Sequence, residues 1–272
     1  MRRLIADLDV NYEMTGSNRP VILVHGAGAD LLTWEGIVPS LASEFTVWRM
    51  DQRGFGKTIR PPVPKLSLSV WTTDLVAFMD EFGIDRAAIV GWSMGGAVAL
   101  NVATLYPERA THIITIGSPG PVQVVQDKSG FEARQRMADA GATVHEIVDA
   151  TFDFTKAAFS RWSRDHNPAA VEMMRQTLLR NDARNYGEMV DALDGLSAFG
   201  PRLGAVSAPT LIICGDEDGR TPPALSRALH EAIRTSRLEI IPDCGHYYPF
   251  EKPAETAQLI ANFLREAPGR TA

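Results

Sequence analysis

Mostly apolar runs of strand length recur along this chain at 20–24, 45–50, 87–90, 112–116, 210–214 and 238–241, and they limit its fold more than any other feature. A strand with one wet face alternates apolar and polar residues, whereas an unbroken run needs cover on both faces. Helical spacing fills the intervals: Val70, Leu75, Phe78, Met79 and Phe82 recur on one face, 98–106 continues the pattern, and Ala257, Ile260, Phe263 and Leu264 close it. Alternation of this kind predicts an α/β fold with a mostly parallel central sheet flanked by helices. Residues 4–14 read as a hairpin leading into the run at 20–24, which brings the expected sheet to about eight strands.

The alternation stops between 119 and 202. Ser118-Pro119-Gly120-Pro121 opens that stretch and Gly200-Pro201 closes it, both turn signals. Inside are helical patterns only: 131–152 with a weak point at Gly141, a helix start at Asn167-Pro168, and a further stretch at 185–199. The expected organisation is a core of 1–118 and 203–272 interrupted, after the sixth strand, by a helical cap at 119–202. Phe152, Phe154, Phe159, Trp162, Met173, Met174 and Met189 are candidates to line an apolar pocket under that cap.

The chemistry concentrates at Gly91-Trp92-Ser93-Met94-Gly95-Gly96, where an apolar run turns through a serine into a helix. Such a turn forces an unfavourable backbone conformation on the serine and pushes its hydroxyl out from the sheet edge. A serine hydroxyl is a poor nucleophile near neutral pH, so it needs a base, and the base needs an orienting carboxylate. Of six histidines, His246 in Asp243-Cys244-Gly245-His246 follows the last strand and is the best candidate. His112 falls in a strand, His145, His166 and His230 in helical or exposed stretches, and His25 reads as a loop organiser. The carboxylate belongs on the loop after 210–214, where Asp216, Glu217 and Asp218 crowd one turn; Asp218 is preferred and Asp216 is the alternative. Thr221-Pro222 reads as the start of the next helix. The oxyanion of a tetrahedral intermediate needs backbone donors, and the amides of Ala27, in the glycine-rich loop His25-Gly26-Ala27-Gly28, and of Met94 are the expected pair. Trp34 and Trp92 are expected to border the substrate. Gly54-Phe55-Gly56-Lys57-Thr58 resembles part of a phosphate loop but lacks the full spacing.

Composition excludes other classes. With 27 basic and 33 acidic residues the chain carries a net charge of −6 and has no basic cluster, so nucleic acid is not an expected partner. Asp7 and Asp9 interrupt the start of the chain before a signal-peptide core can form, and no segment reaches the roughly 18 apolar residues of a membrane span. Two cysteines, Cys214 and Cys244, make no disulfide framework, and no two histidines have ligand spacing for a metal. A soluble, cytoplasmic protein acting on a small molecule is expected, with its oligomeric state open.

Taken together, the elbow, the acidic turn, the late histidine and the His-Gly loop resemble the α/β-hydrolase superfamily, in the chain order Ser93, Asp218, His246. The resemblance runs from His25-Gly26 through Asp51-Gln52-Arg53-Gly54-Phe55-Gly56 to Gly245-His246 and Glu251-Lys252-Pro253. It implies that the acid is the third residue after Gly215, which favours Asp218, that Ala27 and Met94 donate to the oxyanion, and that no cofactor is needed. Serine at the elbow differs from the aspartate of the similar haloalkane dehalogenases and epoxide hydrolases. Ser93-Met94-Gly95-Gly96 looks like small esterases and enol-lactonases, which implies ester or lactone hydrolysis. Carbon-carbon hydrolases often carry asparagine before the serine, where this chain has Trp92. Carbon-carbon hydrolysis, perhydrolysis or cofactor-free oxidation, and a receptor that retains the triad are the alternatives.

Overall fold

The computed structural model describes residues 1–63, 65–122 and 127–266; residues 123–126 of the expected cap and 267–272 of the expected core lie outside the described residues. Strands β1 (Arg2–Ile5) and β2 (Leu8–Thr15) form the expected hairpin, followed by β3 (Pro20–Val24), the short helix α1 (Val38–Ala42) and β4 (Thr46–Met50). Helix α2 (Leu68–Glu81), β5 (Ala87–Trp92), α3 (Met94–Leu105) and β6 (Ala110–Ile116) complete the first half. The eight-stranded sheet runs in the order β1-β2-β4-β3-β5-β6, then β7 (Thr210–Gly215) and β8 (Ser236–Ile241). β1 and β2 pair antiparallel, as do β2 and β4, and every later pair is parallel.

Burial explains which sequence runs became which layer. β5 and β7 are buried at every position, whereas β8, an edge strand, alternates, with Glu239 turned outward in a run expected to be apolar. Helix α2 starts where the Ser67 hydroxyl accepts the Val70 N–H at 3.3 Å, and it buries Leu68, Trp71, Leu75, Phe78 and Met79. Helix α3 is apolar nearly all round, as its burial requires: its first ten residues, Met94 to Ala103, are all buried, and Asn101, the one polar side chain among them, donates to the Thr72 hydroxyl at 2.8 Å.

Between β6 and β7 lie α4 (Ser129–Asp139), α5 (Val144–Lys156), α6 (Arg161–His166), α7 (Pro168–Leu179), α8 (Ala183–Gly187) and α9 (Met189–Asp194), and no strand among the described residues. The helix expected over 131–152 is two helices. Gly141 takes φ +84°, and Thr143 and Glu146 form a reciprocal cap that restarts the chain at Val144. This helical segment is tied to the loops after β3 and β4: Arg180 pairs with Asp30, and Asn181 donates to Gly28 O at 2.9 Å and accepts from Gly56 N at 3.0 Å. The chain continues through α10 (Pro223–Ala232), α11 (Tyr248–Glu251) and α12 (Pro253–Arg265). No helix among the described residues is long and apolar enough to cross a membrane.

Candidate active site

Ser93 joins β5 to α3 with φ +54° and ψ −118°, a region L-residues rarely occupy, at a cost of about 1–3 kcal/mol. The crowding around it admits no side chain. A Cβ on Gly91 would stand 2.1 Å from Gly95 O, and one on Gly95 would stand 2.1 Å from Val24 O. The Ser93 N–H bonds Ile116 O at 2.8 Å, which pins the turn to the end of β6.

Loops at the C-terminal ends of β7 and β8 bring the other two groups. His246 Nε2 lies 3.0 Å from Ser93 Oγ, and His246 Nδ1 lies 2.9 Å from Asp218 Oδ2. Asp218 is buried, whereas Asp216 is exposed and reaches only Cys244 N, at 3.4 Å. Besides His246, Asp218 accepts from Arg220 N and Thr221 N on Oδ1 and from the Thr221 and Tyr248 hydroxyls on Oδ2, at 2.7–2.8 Å. Burial pushes the Asp218 carboxyl up, but the charge and hydrogen bonds of His246 and the bonds from Thr221 and Tyr248 outweigh it and hold it below the ordinary value. Tyr248 keeps its proton, since burial and the neighbouring Asp218 charge push it well above the usual tyrosine range. Helix α10 begins at Pro223 with Pro222 as its cap residue, and Thr221, expected to open it, gives its hydroxyl to the carboxylate instead.

Glu251 sets the loop that carries His246. Its buried carboxylate accepts Gly245 N at 3.1 Å, Tyr247 N at 3.0 Å and Ser160 N at 2.9 Å. His246 N donates to Ala158 O at 2.8 Å, so the helical segment holds the histidine loop through backbone and carboxylate alike. Trp92 closes the other side: its Nε1 donates to His246 O at 2.8 Å.

On the remaining side is the His25-Gly26-Ala27 loop. A Cβ on Gly26 would meet the Trp92 ring at 3.0 Å and Ser93 Cβ at 3.2 Å, so the loop lies against the elbow. His25 organises it: Nε2 accepts Gln52 N–H at 2.9 Å, Nδ1 faces Gly26 O at 2.8 Å, and burial lowers the imidazole so that it stays neutral. The Met94 amide opens α3, where helix geometry leaves N–H groups without an internal acceptor. Arg53, just before the phosphate-loop-like fragment, is tied to Asp7 and Asp74.

A cavity of about 180 Å³ contains Ser93, His246, Trp92 and Ala27 in its lining. Trp34 does not reach it, contrary to expectation: it is fully buried in the core within the turn Leu31–Trp34. Of the aromatic and sulfur residues expected to line it, Phe154 and Met174 do; Phe152 is half-buried against the core, Phe159 and Met189 are buried outside the lining, and Trp162 and Met173 are exposed. Phe131, Leu178, Leu193 and Leu196 complete the apolar wall, together with two arginines, Arg134 and Arg220, that the sequence had not singled out. Cys244 is fully buried, and burial pushes its thiol far up, as befits a packed residue.

Tyr248→Phe tests the support of Asp218. One charge-assisted hydrogen bond is lost, and Gly215 N, 2.8 Å from the phenol oxygen, loses its acceptor. A fall in stability of about 1.5–3 kcal/mol is expected in thermal unfolding, with kcat roughly tenfold lower. A variant with unchanged kcat would remove Tyr248 from the groups that matter to the carboxylate.

A parallel α/β sheet whose strand ends bring together serine, imidazole and carboxylate is an architecture of hydrolases. Residues 19–253 match the alpha/beta hydrolase fold family, so the chain belongs to it and is a hydrolase. It is 28% identical over 273 residues to the 2-hydroxymuconate semialdehyde hydrolase of Pseudomonas sp. (strain CF600), covering 97% of this chain and 93% of that one. Among solved structures, it resembles the enol-lactonase of Burkholderia xenovorans LB400 with TM-score 0.86 at 24% identity, covering 98% of this chain and 100% of that one. A thermophilic esterase from Thermogutta terrifontis has TM-score 0.82 at 26% identity, covering 97% and 98%.

Proposed function

We propose that this hydrolase cleaves a small carboxylic ester or lactone through an acyl-enzyme. The observation that carries the proposal is the continuous hydrogen-bonded path from Ser93 Oγ, at 3.0 Å from His246 Nε2, to Asp218 Oδ2, at 2.9 Å from His246 Nδ1. Ser93 attacks the carbonyl carbon as His246 takes its proton, and the amides of Ala27 and Met94 bind the oxyanion. His246 then protonates the leaving alkoxide, and a water repeats the attack and frees the acid. Asp218 fixes the imidazole with Nδ1–H towards the carboxylate, so that Nε2 presents its lone pair to Ser93. The helical segment between β6 and β7 acts as the cap that closes the cavity over the acyl group. The likeness to the Thermogutta terrifontis esterase, at 26% identity, supports ester chemistry.

A second reading has its own support. The substrate named for the Pseudomonas relative, 2-hydroxymuconate semialdehyde, has no ester bond, so its hydrolysis must break carbon-carbon. Turnover of a panel of aryl esters, lactones and a dienone acid separates the two. Ester or lactone kcat/KM is expected to exceed that of the dienone acid; loss of the dienone chromophore with inert esters would overturn the proposal and favour carbon-carbon cleavage.

A further inference from the structure

Two guanidinium groups stand in the wall of the Ser93 cavity with no carboxylate of the described residues within ion-pair distance. Arg134, on α4, is only 4% exposed; its Nε and Nη2 donate to the Thr151 and Thr155 hydroxyls at 2.9 and 2.6 Å. Arg220, two residues after Asp218, donates to Phe154 O and lies over the Phe154 ring, its Cζ 3.4 Å from the centroid. Neither forms a salt bridge among the described residues, and residues 123–126 contain no Asp or Glu. Their hydrogen-bond and ring partners among the described residues are neutral: hydroxyls, a carbonyl and aromatic faces.

The other long cations with buried side chains in this fold are treated differently. Arg53 and Arg49 are as buried as Arg134, and each is matched by two carboxylates. A buried charge without a counterion is costly, and proteins ordinarily pair it. Burial lowers Arg220 below the ordinary arginine value; Tyr247 and the Asp127 and Asp218 carboxylates act against that, and the Arg134 charge adds to it. Asp127 is the one carboxylate among the described lining residues; it is exposed, takes the Ser129 N–H at 2.9 Å and attracts Arg220 without forming an ion pair with it.

We infer that Arg134 and Arg220 form an anion subsite, and that the substrate is a small ester or lactone bearing a free carboxylate remote from the bond cleaved. The arginine donors not spent on Thr151, Thr155 and Phe154 bind the carboxylate, and the apolar wall of Phe131, Leu193 and Leu196 takes the carbon chain between the two ends. This rests on the acyl-enzyme reading for its chemistry, but its binding half stands apart from it.

The test uses two matched pairs. On the acyl side, the para-nitrophenyl monoester of adipic acid is compared with para-nitrophenyl hexanoate; on the alcohol side, para-acetoxybenzoate is compared with para-acetoxybenzamide. In the wild type the anionic member of one pair is expected to have a kcat/KM roughly ten- to a hundredfold above its neutral partner, the worth of one or two charge-assisted hydrogen bonds. In Arg220→Gln and Arg134→Gln the ratio is expected to fall towards one, and in Arg220→Lys to stay between. The neutral ester reports whether each variant is folded. Arg134 also joins α4 to α5, so Arg220→Gln stands as the independent variant if Arg134→Gln does not fold. Adipate itself is titrated into Ser93→Ala by calorimetry, where affinity is expected to drop at least tenfold on adding Arg220→Gln. Ratios at or below one in both pairs, or unchanged in Arg220→Gln, would overturn the subsite. Adipate binding that depends on Arg220 in a protein that turns over no ester would overturn the acyl-enzyme reading and leave the subsite standing.

Discussion

Ser93→Ala is expected to lower ester turnover on the order of 10⁶-fold while leaving the fold in place. The argument is local. Ser93 Oγ has His246 Nε2 as its partner, and Ser93 O and N, which hold the elbow, are backbone groups that alanine keeps. Alanine also has the same Cβ as serine, so φ +54° strains both alike. Stability should therefore change by no more than about 1 kcal/mol in thermal unfolding. A Ser93→Ala protein with more than a thousandth of wild-type kcat would show that another group attacks the substrate.

Asp218→Asn is expected to lower kcat by roughly 10⁴-fold, and the reason is the tautomer of His246. Two backbone donors, Arg220 N and Thr221 N, face Oδ1 at 2.8 Å and would keep the asparagine carbonyl there. The amide NH₂ then takes the Oδ2 position, opposite His246 Nδ1, the Thr221 hydroxyl and the Tyr248 hydroxyl. Nδ1 must accept instead of donate, which places the ring proton on Nε2 and removes the base from Ser93. Tyr248 already accepts from Gly215 N and is poorly placed to adapt. Asp216→Asn is the control: exposed, with one long contact at 3.4 Å, it should leave kcat within about twofold and stability within about 0.5 kcal/mol. A large loss in Asp216→Asn with activity preserved in Asp218→Asn would reverse the assignment. The lowered Asp218 carboxyl also contributes stability that is present above the ordinary carboxylate range and fades as pH falls through its folded value. Asp218→Asn should accordingly flatten the acid side of the stability profile.

The parts legible in the sequence were those set by short-range pattern. Unbroken apolar runs marked the buried strands, and glycines two residues either side of Ser93 marked a turn too crowded for side chains. The loops that carry Asp218 and His246 were legible because each follows a strand, and in a parallel sheet all such loops meet at one end; the preference for Asp218 over Asp216 came from the resemblance. What stayed hidden depends on which face of an element looks inward. Met173 and Met174 are neighbours in sequence, yet one is exposed and the other lines the cavity. Trp34 looked like a pocket residue by size and loop position, but the turn around it directs the indole into the core. Tyr248 and Thr221 touch Asp218, and Glu251 touches the loop of His246, through contacts that need the folded chain. Arg134 gave no signal, since an arginine on an amphipathic helix ordinarily faces solvent, and only the walls around it reveal a buried charge.

The account rests on Ser93 being an activated nucleophile, and intact-protein mass after brief exposure to a fluorophosphonate tests that most directly. Wild type is expected to gain one adduct, with Ser93→Ala unmodified and Asp218→Asn labelled far more slowly. Equal labelling of wild type and Ser93→Ala, or an unlabelled wild type that still turns over esters, would contradict the account.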